Sequence, residues 1–461
     1  MRILLCCADW GVPLGGHAGS SVHVRAMARA LADLGHAVRL VVSNATGPVT
    51  LDRPVQAVPY RCFWPAGHGF CERLRGRAPG EAATMPAPVA TESAGAACGD
   101  TAGPGPTPAE SWKVRLYYRH LPRVADAVEE LVWHRRRFAR AVDRAVREFR
   151  PHGVYERYAL GQTGTARALR RLGPGAPAHL LEVNASLADE RALRGELPGP
   201  LAWLARMEEA RLWRRADRVF CVSEALWERA VLAGVSPDRV EVAPNGVDLV
   251  AFSPDRPRGS LRRLLGAGEA DILVGFVGSL SPGRGGGEFL GIMARALPLV
   301  PAARGVVIGD GPLAGELRRL AVGLGLEDRV VFVGAVDHER VPSLLVDLDV
   351  ALACYPKQDG FYFSPMKVLE YMACGLPVVC GRAGQMQQLV EDDCSGVLVE
   401  PGDMAAWSRA VVEVCRNPHR RARLGQAARR KALAGPTWEK NAGRVAATLE
   451  ALARPGRRNL P

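Results

Sequence analysis

Short β-branched runs alternate with helical periodicities along nearly the whole chain, and two separate sets of them can be distinguished. In the first set strands are expected at 3–8, 37–43, 153–155, 179–183, 218–222 and 240–243, with a helix at 21–34 after the first of them. In the second they are expected at 272–277, 305–308, 330–333, 349–353, 377–380 and 396–399. Strands that alternate with helices pair in parallel, because each crossover helix returns the chain to the same end of the sheet. The fold class is therefore α/β, with doubly wound sheets. At 461 residues the chain exceeds what one core ordinarily holds, so two domains are expected. The break follows Asn245-Gly246-Val247-Asp248, where Phe252-Ser253-Pro254 opens a polar, proline-containing stretch. This divides the chain into 1–250, 251–435 and a terminal helix and basic tail at 436–461.

Glycine-rich turns follow strands in both halves, and their spacing excludes several chemistries. A dinucleotide fingerprint needs G-x-G-x-x-G directly after the first strand and an acid at the end of the second. Here Asp9-Trp10 intervene, the glycines run Gly15-Gly16-x-x-Gly19, and the second strand ends in Ser43-Asn44. No Walker loop, G-x-S-x-G elbow or HExxH occurs. The eleven cysteines are scattered without metal spacing and read as buried thiols. What remains are the turns at 278–287 and 309–312, where glycines let backbone amides approach phosphate and Arg284 could grip a diphosphate. Tight βα turns also need glycine for purely structural reasons.

The segment 354–380 is the most informative for chemistry. Ser364 and Pro365 suit an N-cap and first helical residue, Gly375 suits the C′ position, and Pro377-Val378-Val379 restarts a strand. Such a helix offers free amides and a positive dipole end, with Lys367 in its first turn and Glu370 one turn on. That arrangement fits an anion with a neighbouring hydroxyl-bearing group, as in a sugar nucleotide. It equally fits a short buried helix whose Lys367 and Glu370 form an i,i+3 ion pair.

The formal charge of +12 favours anionic partners without choosing among them. Residues 113–150 hold eleven Lys/Arg against five Asp/Glu, yet Phe138, Val142, Val146 and their neighbours recur at helical spacing. Two readings stand: a docked helix with a solvated basic face, or a surface for anionic membrane aided by Trp112, Tyr117, Tyr118 and Trp133. Residues 78–111 lack any aromatic side chain and are rich in Ala, Pro, Gly and Thr, which suggests a disordered loop. The apolar run after Met1-Arg2 is broken by Asp9, and no stretch approaches the ~20 apolar residues of a membrane span. A cytoplasmic protein is expected, with contact at the inner face of the membrane as an option.

Taken in order, the motifs resemble those of family 4 glycosyltransferases of the GT-B architecture over nearly the whole chain. They comprise the Gly15–Ser21 loop, Ala30-Leu31-x-x-x-Gly35-His36-x-Val38, Ala216 to Ser223 and Pro244-Asn245-Gly246-Val247-Asp248. The second half adds Phe276 to Leu280, Gly309-Asp310-Gly311-Pro312, Val330 to Gly334 and the Lys367–Pro377 stretch. Tyr155-Glu156-Arg157-Tyr158 and Leu181-Glu182-Val183-Asn184 resemble one bacterial branch.

The resemblance implies two Rossmann-like domains facing each other across a cleft. It implies transfer of a sugar from a nucleotide-sugar donor with retention, to a glycan, glycolipid or small-molecule acceptor. No metal cofactor and no nucleic-acid partner are implied. By position Arg284, Lys367 and Glu370 would be the catalytic set, with Glu370 on the ribose and the two cations on the diphosphate. Gly15, Gly16, Asn184, Gly311, Gly334, Tyr362, Ser364 and Pro365 would bind the donor. His17, His23, Arg157, Tyr158 and Glu182 would line the acceptor side. Three positions depart from the family pattern: Tyr362 stands where many relatives carry the first Glu of a Glu-x7-Glu pair, Ser279 where they carry Arg, and Asn184 where they carry His. Two other readings remain, a nucleotide-sugar epimerase of related fold and a catalytically lapsed scaffold.

Overall fold

A computed structural model describes residues 1–45, 55–57, 133–193, 195–197, 199–358 and 360–453, with backbone only at 55–57 and at Leu193. The expected loop at 78–111, and the basic stretch up to residue 132, lie outside the described residues.

Among the described residues the first sheet holds seven strands: β1 (Arg2–Cys7), β2 (Ala37–Val42), β3 (Val55–Ala57), β4 (Gly153–Arg157), β5 (Ala178–Val183), β6 (Arg218–Cys221) and β7 (Val240–Val242), in the order β3-β2-β1-β4-β5-β6-β7. The second holds β8 (Ile272–Val277), β9 (Ala303–Ile308), β10 (Val330–Gly334), β11 (Val350–Ala353), β12 (Val378–Gly381) and β13 (Val397–Val399), in the order β10-β9-β8-β11-β12-β13. Every pairing of neighbouring strands is parallel. In each sheet the winding reverses beside the first strand, between β1 and β4 and between β8 and β11. The crevice outside the carboxyl ends of the strands at that reversal is where open α/β sheets take ligands.

The continuous apolar run of β1 follows from burial on both faces. Ile3, Leu5 and Cys7 pack with the helices Gly19–Asp33 and Trp438–Ala453, while Leu4 and Cys6 pack beneath Arg135–Phe149. That last helix buries Phe138, Ala139, Val142, Ala145 and Val146 and leaves Arg136, Arg140, Arg144 and Arg147 exposed. Within the described residues it is a docked helix with a solvated basic face.

The chain crosses between the two halves twice, and the crossings touch. Val247 bridges in parallel to Thr437, and the Val247 amide donates to the Pro436 carbonyl at 3.3 Å. A Cβ on Gly246 would stand 2.4 Å from the Trp438 nitrogen, so only glycine lets the strands pass this closely. The outcome is that Pro418–Ala434 packs on the second half, whereas Trp438–Ala453 returns to the first and buries Trp438, Val445 and Leu449 there.

Candidate active site at the interdomain cleft

The loop after β1 is held from below by Arg25, whose Nη1 donates to the carbonyls of Leu14 at 2.5 Å and Gly16 at 2.7 Å. Gly15 is buried and Gly16 half-buried in this loop. It ends at Gly19, where the helix Gly19–Asp33 begins, and a Cβ there would lie 3.5 Å from Sδ of Met366 in the other half. His17 reaches across as well, with Nδ1 3.3 Å from Oδ1 of Asp337. The loop therefore faces the start of the helix Met366–Ala373.

That helix begins one residue later than the sequence suggests. Pro365 is its N-cap, and Ser364 does not cap it. The Ser364 hydroxyl instead accepts from the Asn245 amide at 2.9 Å, and Asn245 Nδ2 donates to the Ser364 carbonyl at 2.9 Å. A tertiary contact has taken the oxygen that local sequence would assign to capping.

Lys367 and Glu370 do not pair with each other. Glu370, buried on the helix, meets His338 Nε2 through Oε1 at 2.9 Å. The Lys367 ammonium lies 4.1 Å from the ring centroid of Phe276 and 5.2 Å from that of Tyr355. Arg284 behaves alike, its guanidinium carbon 4.4 Å over the ring of Phe363. Among the described residues neither cation has an ion-pair partner. Burial, and to a smaller degree the neighbouring Arg284 charge, lower the Lys367 ammonium to about 8. The turn just after Arg284 is forced by packing: Gly285 has φ +96°, and a Cβ there would fall 1.7 Å from the Cys354 carbonyl oxygen.

On the opposite wall, β4 and β5 end in a buried polar network. Glu182 meets His23 Nε2 at 2.9 Å, accepts from Asn184 Nδ2 at 2.6 Å and accepts from the Tyr155 hydroxyl. Burial pushes its carboxyl up, but His23 and the donated hydrogen bonds outweigh that and hold it below the usual range. Arg157 donates to Asn184 Oδ1, so Glu182 and Arg157 together fix the Asn184 amide. The Nδ1 of His23 has no partner within the network.

Four expected donor or acceptor residues are engaged in other contacts. Tyr158 points away from the acceptor side into the first domain, where its hydroxyl donates to Glu209 at 2.8 Å and its ring packs edge-on against Trp213. Its apolar surface outweighs its single hydroxyl, and Glu209, pushed up to about 7 by burial, supplies the partner that hydroxyl needs. Gly311 packs so closely that a Cβ would be 2.6 Å from the Leu280 carbonyl, and the Gly334 carbonyl accepts from the Gly309 amide at 2.9 Å. Both glycines serve the backbone of the turns. Tyr362 leans on the first domain, donating to Glu190 Oε1 at 2.6 Å. Sequence reasoning missed Phe276, Tyr355, Phe363, His338 and Glu190. Only the run Phe361-Tyr362-Phe363 gave a local signal; the others converge from distant strands and loops.

Residues 271–417 match the family model described as glycosyl transferases group 1, and residues 18–246 match the glycosyl transferase 4-like domain. The GDP-mannose-dependent alpha-(1-6)-phosphatidylinositol monomannoside mannosyltransferase of Mycolicibacterium smegmatis is 31% identical over 290 residues, which cover 60% of this chain and 75% of that protein. The chain belongs to the group 1 glycosyltransferases. A D-inositol 3-phosphate glycosyltransferase of Salinispora tropica is 32% identical over 272 residues, and the match spans only 55% of either chain. This glycosyltransferase also shares its fold with the Anabaena protein HepE, solved in complex with UDP and glucose, at TM-score 0.65 and 19% identity over 98% of this chain and all of that one. Sucrose-phosphate synthase from Thermosynechococcus elongatus superposes at TM-score 0.66 and 19% identity over 98% of both chains. The architecture is thus GT-B. No helix among the described residues is long and apolar enough to cross a membrane.

Proposed function

We propose that this glycosyltransferase takes a nucleotide-sugar donor in the second domain and transfers the sugar with retention of anomeric configuration, without a catalytic metal. The observation that carries this reading is the pair of cations, Arg284 and Lys367, held on aromatic faces at the start of the Met366–Ala373 helix without a carboxylate partner among the described residues. Cations left unneutralised at a helix N-terminus suit a diphosphate. Glu370, one turn on, would accept from the ribose hydroxyls, with His338 setting its orientation.

Breaking the anomeric bond puts negative charge on the diphosphate and positive character on the sugar. Preorganised donors are most effective where that charge appears, and losing one typically costs about 3–4 kcal/mol. In this reading Arg284, Lys367 and the first amides of the helix stabilise the leaving group. The loop at Gly15–Gly16 and the Asn184 amide hold the sugar against it. In this reading no carboxylate pair of the kind a retaining hydrolase uses is needed. Attack on the face the leaving group departs from, with the leaving phosphate taking the acceptor proton, balances the reaction without one.

The acceptor belongs on the first-domain wall, near His17, His23, Arg157 and Glu182. Relatives named for phosphatidylinositol monomannoside and inositol 3-phosphate make phosphorylated inositol acceptors, lipid-linked or free, the first class to test. A lipid acceptor would bring the protein to an anionic membrane at its cytoplasmic face.

The test is turnover with a panel of nucleotide sugars and these acceptors in the presence of a chelator, with the product's anomeric configuration read by NMR. Transfer with retention, unaffected by the chelator, is expected. Inversion, dependence on added metal, or donor epimerisation without transfer would overturn the proposal.

A further inference from the structure

Arg284 is steadied by a ring, and that ring is steadied by the other domain. Phe363 lies under the Arg284 guanidinium at 4.4 Å and packs 5.2 Å from the Phe361 ring and 6.1 Å from the Tyr355 ring. Both of its chain neighbours are tied to the first domain. The Tyr362 hydroxyl donates to Glu190 at 2.6 Å, its carbonyl accepts from the Ser223 hydroxyl at 2.7 Å, and the Arg229 guanidinium lies 5.5 Å over its ring. On the other side, Ser364 is held twice by Asn245.

We propose that Phe363 is a positioning residue that places Arg284 for the donor diphosphate, and that Glu190, Ser223 and Asn245 of the first domain fix Phe363 through Tyr362 and Ser364. The inference rests on reading Arg284 as a diphosphate ligand. A carboxylate in the place of Phe363 would also hold the guanidinium, but it would spend part of the charge that the phosphate needs. An aromatic face orients the cation and leaves its N–H donors for the ligand. Arg284 also sits close enough to Lys367 to depress that ammonium, so the guanidinium needs a restraint against mutual repulsion. Because the restraint originates across the cleft, Arg284 is in place only while the two domains touch at Tyr362 and Ser364.

Calorimetric titration of the full chain with a nucleoside diphosphate and the matching monophosphate tests this. Phe363→Leu is expected to weaken diphosphate binding about tenfold while leaving monophosphate binding unchanged. Phe363→Tyr should restore it, and Tyr362→Phe should give a smaller loss of the same kind. In an Arg284→Ala background, Phe363→Leu should cost nothing further. Additive losses, equal losses for both nucleotides, or unchanged diphosphate binding in Phe363→Leu would overturn the inference while the diphosphate reading stands. Binding by Arg284→Ala equal to the parent's, or no binding by the parent, would overturn the diphosphate reading and this inference with it.

Discussion

Lys367 is held where burial disfavours its charge, yet the proposed ligand requires that charge. With its ammonium lowered to about 8, the free protein loses the proton as pH rises through that value. A bound diphosphate raises the group again, so binding above about pH 8 must take up a proton. Nucleoside diphosphate affinity is therefore expected to stay level from about pH 7, where the terminal phosphate is ionised, up to that pH and to fall by up to about tenfold per unit above it. Lys367→Arg, whose guanidinium stays charged, should flatten the profile; a fall that persists would place its cause elsewhere. Lys367 and Glu370 were both legible from their positions on one helix, but their pairing was not. That the two do not pair follows from Phe276 on β8, Tyr355 after β11 and His338, which only the tertiary fold brings there. Tyr158 failed in the opposite direction, because its neighbour Arg157 does face Asn184 while successive side chains of an extended segment point to opposite sides.

At the scale of elements, the strands were readable because parallel sheets buried on both faces demand uninterrupted β-branched runs. Among the described residues twelve of the thirteen strands lie where those runs predict, and β3, only three residues long, offers too little pattern to read. Local signals marked Pro244 to Asp248 as a boundary without explaining its glycine. The reason is the return crossing at 436–438, nearly two hundred residues away. Gly246→Ala should therefore destabilise the protein by about 1–3 kcal/mol, seen as a lower urea midpoint with an unchanged slope. An unchanged midpoint would mean that the crossings separate at no cost.

At the scale of the molecule, each half depends on the other. The first sheet takes its last helix from beyond the second domain, and that helix buries Trp438, Ala442, Val445, Ala446 and Leu449. Each large buried apolar side chain contributes about 1.5–3 kcal/mol, so their sum is comparable with the entire net stability of a domain. A chain ended at Gly435 should lose the cooperative unfolding of its first domain; retention of the parent melting temperature would show the helix to be dispensable. The same interdependence sets the Gly15–Gly19 loop against the start of the Met366–Ala373 helix, and there we propose the diphosphate site. Its most direct test is calorimetric titration with UDP, GDP, ADP and dTDP in the presence of a chelator, comparing the parent with Glu370→Ala. One nucleotide should bind the parent without metal and bind the variant about 2 kcal/mol more weakly, roughly thirtyfold. Binding of none of them, or equal binding by both proteins, would contradict the account.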